Sequence, residues 1–317
     1  MKMRFGIIGA GGMGRLHSKN LLKIEDTEIA WVADLNPEAG KKLAEEVGSE
    51  FVRNWEKHLD KVDAVVICTP PFVHCREIVR SASAGKHIFV EKPLALTMRQ
   101  ADRIVKTVRE NNVQLMVGYV LRFFPSFKAF KEILDSGRIG ELVVAWINRM
   151  GGLPRTSWLF DPKKSGGMTV EFNTHDIDFL LWLGGKPSKV YGKILKSKPD
   201  LTIEDNVWAI IDFPKGIGVL GSSWSNPLGF SAVGIIGTKG VVIMKDYGKV
   251  IVKEGDKDPE EYPLPQDVDP YYEELLYFVN CLREGKLVEI DAEVGRNTLQ
   301  VCLAVQNSSK RGTVIRL

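Results

Sequence analysis

The chain has 317 residues, of which 44% are hydrophobic and 26% charged, and its formal net charge is +3. This balance is ordinary for a globular protein, and the length suggests two domains. There is no basic tract, no acidic tail and no apolar run of ~20 residues, so we expect neither a nucleic-acid partner nor a membrane span. The four cysteines and five histidines are scattered. We therefore expect reduced thiols, a cytoplasmic location and no metal site.

The first 120 residues alternate between apolar strands and helices. Strands are predicted over 5–9, 28–33, 64–68, 87–90 and 114–117, and helices over 12–23, 37–47, 72–84 and 97–111. This alternation predicts an α/β domain with a parallel sheet covered on both faces. Right-handed crossovers would make the sheet doubly wound.

The pattern changes after residue 122. A helix at 125–136, a strand at 141–149, a loop at 151–167 and a helix at 168–183 are followed by extended runs over 187–254 and helices at about 270–284 and 292–309. We predict a first domain over 1–122 and an α+β domain over 123–317, with a large, mostly antiparallel open sheet.

The run NVWAIIDF at 206–213 is apolar on both alternations. One set contains Val207, Ala209 and Ile211, and the other contains Trp208 and Ile210. One face should meet helices, and the other is a candidate interface for a homodimer or homotetramer.

Residues 9–14 read GAGGMG and directly follow the first predicted strand. In the G-x-G-x-x-G pattern, Gly9, Gly11 and Gly14 allow a tight turn, close approach to a pyrophosphate and close helix packing. Gly12 and Met13 lie in the same turn, where the helix start supplies N–H donors. The context predicts a Rossmann-type dinucleotide site.

Asp34 ends the second predicted strand, 20 residues after Gly14. A carboxylate there can accept hydrogen bonds from the adenosine ribose hydroxyls. It would repel a 2′-phosphate, so NAD is favoured over NADP. Lys41 and Lys42 follow in the next helix and keep NADP as an alternative.

The segment HIFVEKPLAL ends a strand with Glu91, Lys92 and Pro93. Ligands of open α/β sheets bind beyond the carboxyl ends of the strands, so Lys92 should lie near the nicotinamide end of the cleft. An ammonium there can bind a substrate hydroxyl and stabilise negative charge on its oxygen. A solvated surface lysine is the alternative.

With these motifs the chain resembles the Gfo/Idh/MocA oxidoreductase family, which includes inositol and glucose–fructose dehydrogenase-type enzymes. The shared features, in the family's order, are GAGGMG, Asp34, CTPPFVH at 68–74, EKP at 91–93, GYVLRFFP at 118–125 and GGMTVEFNTHDID at 166–178. These motifs are specific for the family but not for a substrate.

The resemblance implies roles for several residues. Thr69, Pro70 and His74 would line the ribose and diphosphate of the cofactor, with Pro71 where the family usually has Asn. Glu91 and Lys92 would lie beside the nicotinamide, and the Lys92–Pro93 bond is often cis in relatives. Tyr119 and Arg122 would lie near the cofactor or the substrate.

The stretch VEFNTHDID at 170–178 is unusually polar for the start of an apolar helix. If 171–183 is helical, Glu171, His175 and Asp178 share one face. Alternatively, Asn173 or Thr174 caps the helix and leaves Glu171 outside it. A histidine here can accept a hydroxyl proton, and a carboxylate can orient its ring.

The resemblance matches this stretch to an Asp-x-Gly-x-His pattern, with Glu171 in place of Asp and Asn173 in place of Gly. We predict that Lys92, His175 and Glu171 are catalytic. The predicted substrate-binding residues are Arg122, Arg155, Trp158, Asn173 and Asp178. A structural role for Trp158 is the alternative.

The predicted activity is an NAD-dependent dehydrogenase that oxidises a secondary alcohol of a sugar, polyol or sugar derivative. Two alternatives stay open. One is an NAD-dependent glycoside hydrolase that oxidises its substrate transiently, and the other is a non-catalytic NAD(P)-sensing regulator.

Overall fold

A computed structural model describes residues 2–154, 156–245 and 248–317. The chain forms two compact units, Met1–Val120 with Asp269–Leu299, and Leu121–Val268 with Gln300–Leu317. The first stretch ends close to the predicted boundary at 122. Residues 269–299, which we predicted in the second domain, belong instead to the first unit.

Helices and strands alternate along the first stretch, whereas the rest of the chain contains runs of helices and a long run of strands. The first stretch contains β1 (Met3–Ile8), α1 (Gly12–Leu21), β2 (Thr27–Ala33), α2 (Pro37–Glu46), β3 (Glu50–Phe51), β4 (Ala64–Ile67), α3 (Pro71–Ser83), β5 (His87–Val90), α4 (Met98–Glu110) and β6 (Leu115–Val117). Then come α5 (Pro125–Asp135), β7 (Leu142–Met150), α6 (Pro162–Ser165), α7 (Met168–Glu171), α8 (Thr174–Gly184), β8 (Lys189–Leu195), β9 (Asn206–Asp212), β10 (Ile217–Ser223), β11 (Phe230–Gly237), β12 (Gly240–Lys245), β13 (Val250–Glu254), β14 (Glu260–Glu261), α9 (Pro270–Glu284), α10 (Ala292–Arg311) and β15 (Ile315–Arg316).

The first unit contains a six-stranded parallel sheet in the order β3-β2-β1-β4-β5-β6. The predicted doubly wound sheet is therefore confirmed. Strand β4 is an apolar run that is buried throughout, as expected for a strand covered on both faces. The chain leaves β1 towards one edge and returns to β4 beside it, so the ends of β1 and β4 form the switch point where such sheets bind ligands.

Helix α9 explains why residues after the second sheet belong to the first unit. It packs against α1, and its side chains Leu275 and Phe278 are fully buried. The Phe278 ring lies 6.0 Å from the Phe89 ring of β5. The sequence gives no local signal for this long-range return, because elements are by default expected beside their sequence neighbours.

The second unit contains a nine-stranded sheet in the order β14-β13-β12-β11-β7-β10-β9-β8-β15. Among the described strands of this second sheet, only β7 and β10 pair in parallel, so the predicted, mostly antiparallel sheet is confirmed. Helix α8 packs on β7 and β10, and α5 packs on β11 and β12. Val207, Ala209 and Ile211 are buried, whereas Trp208 and Ile210 are 44% and 43% exposed, as the alternation predicts.

The predicted helix over 168–183 is interrupted. Helix α7 ends at Glu171 and α8 begins at Thr174, so a continuous helical face through Glu171, His175 and Asp178 is not formed. Asn173 precedes α8 but does not cap it with its side chain. Instead, its amide nitrogen donates to Asp176 Oδ2 at 2.9 Å and to Ser222 Oγ at 2.6 Å. The alternative that leaves Glu171 outside the long helix is the one observed.

Candidate active site

The glycine turn of the first unit has the geometry of a phosphate cradle. Gly9 has a φ of +101°, a conformation that favours glycine. A Cβ on Gly14 would overlap the Gly9 carbonyl oxygen, so glycine is required for α1 to start this close to β1. A Cβ added to Gly11 or to Gly12 would meet no atom within 4 Å. The open N-terminus of α1, a ten-residue helix, fits a pyrophosphate.

Asp34 is tied to this turn. Its Oδ2 accepts a hydrogen bond from the Ala10 backbone N–H at 2.6 Å, and its Oδ1 accepts from the Asn36 N–H at 2.7 Å. Asn36 in turn caps α2. The carboxylate is therefore held at the end of β2, beside the cradle, where it was predicted to accept from ribose hydroxyls.

The turn after β4 is fixed by a buried histidine. The His74 Nε2 lies 2.8 Å from the Thr69 carbonyl oxygen, and its Nδ1 lies 2.9 Å from the Pro93 carbonyl oxygen. Burial lowers the pKa of His74, and the hydrogen bonds to the two carbonyls oppose that effect. His74 was predicted to line the cofactor, but its ring is fully buried and joins two turns instead. Pro70 precedes α3, and Pro71 is its first residue.

The turn after β5 carries Glu91 and Lys92, and the Lys92–Pro93 bond is cis, as predicted. Glu91 was expected beside the nicotinamide. Its Oε1 lies 2.7 Å from His17 Nε2, and its Oε2 accepts from the Lys92 backbone N–H at 3.3 Å. Burial by itself would raise the pKa of Glu91. The hydrogen bond to His17 and the nearby positive charges outweigh burial, so the pKa lies below its ordinary value.

Glu274 of α9 completes this cluster. Its Oε1 lies 4.0 Å from His17 Nε2, and both side chains are fully buried. Burial, together with the charges of Glu91 and Asp269, raises the pKa of Glu274 well above its ordinary value. Neither carboxyl oxygen of Glu274 has a hydrogen-bond partner among the described residues. Around one imidazole, the pKa of Glu91 is therefore lowered and that of Glu274 is raised.

The second unit contains a buried ion pair between two predicted substrate-binding residues. Arg122 Nε donates to Asp178 Oδ2 at 2.8 Å, and its Nη2 donates to Asp178 Oδ1 at 2.7 Å. The guanidinium also lies 5.3 Å from the Trp182 ring centroid. Tyr119, which precedes Arg122 in the sequence but belongs to the first unit, is fully buried.

A second buried pair lies at the start of α8. Arg149 of β7 forms an ion pair with Asp176 at 2.6 Å. It also donates to the Phe172 carbonyl oxygen at 3.1 Å and lies 4.0 Å from the Phe172 ring centroid. Asn173, predicted to bind substrate, is fully buried and donates to Asp176. These contacts hold the junction between α7 and α8.

The other predicted residues lie at this junction or before it in the sequence. Glu171 ends α7 and His175 lies in the first turn of α8, and both are half-buried. Trp158 lies in a short turn of helix, Ser157–Phe160, and is also half-buried. Arg155 lies outside the described residues. His17, Glu274, Glu77 and Arg149 were not predicted from the sequence as site residues.

Comparisons with known proteins show the family of the chain. Residues 3–119 match the GFO_IDH_MocA model, described as an oxidoreductase family with an NAD-binding Rossmann fold, and residues 127–243 match the GFO/IDH/MocA C-terminal domain. An inositol 2-dehydrogenase from Rhizobium meliloti is 31% identical over 301 residues, covering 90% of each chain. A 2,7-anhydro-N-acetylneuraminate hydratase from Mediterraneibacter gnavus is 31% identical over 192 residues, covering 59% of this chain and 50% of the relative.

The fold is also that of a solved structure. Levoglucosan dehydrogenase, in a complex with NADH, superposes with a TM-score of 0.92 at 20% identity, covering 100% of this chain and 99% of that chain. No described helix is long and apolar enough to cross a membrane.

Proposed function

The chain belongs to the GFO/IDH/MocA family of oxidoreductases, with an NAD-binding Rossmann domain, and we propose that it oxidises a secondary alcohol of a sugar, polyol or sugar derivative. The observation that carries this proposal is the match to the inositol 2-dehydrogenase, which extends over 90% of both chains. NAD is favoured over NADP because Asp34 is held beside the phosphate cradle.

In the proposed mechanism His175 accepts the proton of the substrate hydroxyl, and Lys92 stabilises the negative charge that develops on the oxygen. Glu171 orients His175. Bound NAD supplies the hydride acceptor, while the protein supplies positioning and electrostatics. Trp158 is proposed to cover the sugar ring. Arg155 was predicted beside it and remains a candidate for the same role.

We propose that Arg122, Asp178 and Asn173 do not contact the substrate but hold the substrate-binding region in shape. Arg122 and Asp178 neutralise each other in a bidentate pair, and Asn173 is engaged by Asp176 and Ser222. Such groups fix the shape of a site because each is held by its partners.

The test is NADH absorbance after mixing protein and NAD with a panel of inositols, hexoses, sugar acids and amino sugars. Lys92→Ala should keep NAD affinity and lose about 100-fold or more in turnover, because removing one stabiliser of an oxyanion costs that much. Lys106→Ala, at an exposed site on α4, is the control and should turn over like the wild type. Undiminished turnover in Lys92→Ala would exclude the proposed role of Lys92.

A second candidate is an NAD-dependent glycoside hydrolase that oxidises its substrate transiently. The likeness to a hydratase favours it, since hydration by itself leaves the redox state of the substrate unchanged. In that case NAD should copurify with the protein and glycosides should be cleaved without accumulation of NADH. Net NADH formation from a free sugar or polyol would favour the dehydrogenase.

We also propose a homodimer or homotetramer. On the second sheet Tyr191, Trp208, Ile210 and Ile243 are between 43% and 45% exposed, although all are large and apolar. Large exposed apolar patches are typical of interfaces between subunits. Light scattering at micromolar concentration measures the mass, and a purely monomeric profile would contradict this proposal.

A further inference from the structure

We infer that Glu77 is a positioning residue of the dinucleotide site and that, through Thr69, it sets how the affinity for NAD depends on pH. The inference rests on the proposed function, because it takes NAD to be the ligand. It adds a titratable group that the proposed chemistry at Lys92 and His175 does not use.

Thr69 lies where the dinucleotide is expected. It follows the end of β4, next to the end of β1, at the switch point of the sheet. A Cβ on Gly9 would lie 2.8 Å from the Cys68 carbonyl carbon and 3.0 Å from the Thr69 nitrogen. Thr69 therefore lies directly against the glycine turn that cradles the phosphates.

Two side chains of α3 form hydrogen bonds with Thr69. The Thr69 hydroxyl donates to Glu77 Oε2 at 2.5 Å. His74, one turn earlier on the same helix, binds the Thr69 carbonyl oxygen at 2.8 Å. Glu77 is 7% exposed, so its carboxyl is shielded from bulk water. The orientation of the Thr69 hydroxyl is thus set by one buried carboxyl.

The surroundings let this carboxyl titrate near neutrality. Burial raises the pKa of Glu77 to about 7, against the opposing effects of the Thr69 hydrogen bond and the positive charge of Arg76. Arg76 is on the same helix. Other titratable neighbours include His74 on the same helix, whose pKa is lowered by burial, and the Cys68 thiol directly after β4, whose pKa is raised by burial and by the charges of Glu91, Glu274 and Glu77. Glu56, in the turn of helix Trp55–Lys61 that packs on α3, forms an ion pair with Arg76.

The direction of the effect follows from charge and hydrogen bonding. Above the pKa of Glu77, the carboxylate binds the Thr69 hydroxyl hydrogen and places a negative charge near the phosphate turn. Below the pKa, that charge is absent and the hydroxyl can donate to a phosphate oxygen. Both effects make NAD bind more tightly at low pH, so bound NAD should raise the pKa of Glu77 further.

The experiment is a titration of the full-length protein with NAD from about pH 6 to about pH 8.5, a range in which NAD itself does not titrate. The dissociation constant of the wild type should rise about tenfold across the range, which corresponds to a pKa increase of about one unit on binding. Glu77→Gln should bind with a constant close to the low-pH value at every pH. Glu110→Gln, at an exposed site on α4, should follow the wild type.

Two further measurements do not depend on the Gln variant. Thr69→Val removes the hydroxyl through which Glu77 acts, so its affinity step should shrink to the part caused by the charge of Glu77 alone. The remaining step should move to higher pH, because a hydrogen bond that lowers the pKa of Glu77 is lost. Calorimetry in two buffers of different ionisation heat should show that the wild type takes up a fraction of a proton when NAD binds near pH 7.

The outcomes separate the inference from the proposed function. NAD binding with a pH-independent constant, or a step that persists unchanged in Glu77→Gln, would overturn the inference alone. A purely structural role for Glu77 predicts a weaker affinity at all pH values, without loss of the step, and would overturn it too. Absence of NAD binding at every pH would overturn the proposed function and the inference together.

Discussion

Replacing Glu274 by Gln should stabilise the protein at neutral pH. Glu274 is fully buried and its pKa is raised well above the ordinary value, first by burial and then by the charges of Glu91 and Asp269. In the unfolded chain the same carboxyl ionises freely. The folded state therefore binds more protons than the unfolded state at every pH between the two pKa values.

The magnitude follows from linkage. A carboxyl that stays protonated only in the folded state lowers the free energy of unfolding by about 1.4 kcal/mol for each pH unit above its unfolded pKa of about 4.3. Between pH 5 and pH 7 this cost grows by about 3 kcal/mol, as long as Glu274 keeps its proton. Gln has a similar volume and no charge, so the variant carries no such cost.

Urea unfolding followed by tryptophan fluorescence at pH 5, 6 and 7 measures the difference. We expect the variant to gain about 3 kcal/mol on the wild type between pH 5 and pH 7. Both proteins keep His17 and Glu91, so the difference isolates Glu274. Glu110→Gln, with an exposed side chain, should show no such trend.

Two results would refute this reasoning. A difference that does not change with pH would mean that Glu274 is ionised in the folded protein. Since the ligand atoms of His17, Glu91 and Glu274 lie within 4.8 Å of one another, a bound divalent cation is the physical alternative. It would make the wild type the more stable protein at pH 7, and a chelator would remove that advantage.

Two further predictions concern the phosphate cradle and the buried ion pair. Gly14→Ala puts a Cβ against the Gly9 carbonyl oxygen, so NAD affinity should fall about tenfold or more. The control in the same titration with NAD is Gly229→Ala, at an exposed position between β10 and β11 where an added Cβ meets nothing within 4 Å. Asp178→Asn leaves the Arg122 charge without its buried partner and should cost about 3–5 kcal/mol in urea unfolding. A loss below about 1 kcal/mol would mean that the pair behaves like an exposed one.

The parts that the sequence predicts well depend on short-range patterns. The strand, the glycine turn and the helix at residues 3–21 are encoded by neighbouring residues, since each glycine is required by local sterics. The parallel sheet follows from repeated apolar runs, and the two faces of β9 follow from alternation. In each of these cases the pattern lies within one element or between neighbouring elements, although the pairing of β1 with β4 joins distant segments.

The buried acids could not be predicted in the same way. Glutamate is seldom fully buried, so Glu77 and Glu274 are expected on the surface. His17 is explained only by Glu91, which lies 74 residues away, and by Glu274 on a helix that the sequence assigned to the other domain. Nothing near position 17 in the sequence indicates either partner.

The polar residues at the start of α8 are also explained by partners that are distant in the sequence. Asp178 was predicted to bind substrate, and it forms an ion pair with Arg122 of another segment. The neighbouring Asp176 forms an ion pair with Arg149 in the same way. Two arginines brought against a buried helix require two carboxylates, because an unpaired buried charge is far more costly than a paired one. The stretch therefore divides into carboxylates that arginines of other segments neutralise and half-buried groups, of which His175 has a side chain suited to proton transfer.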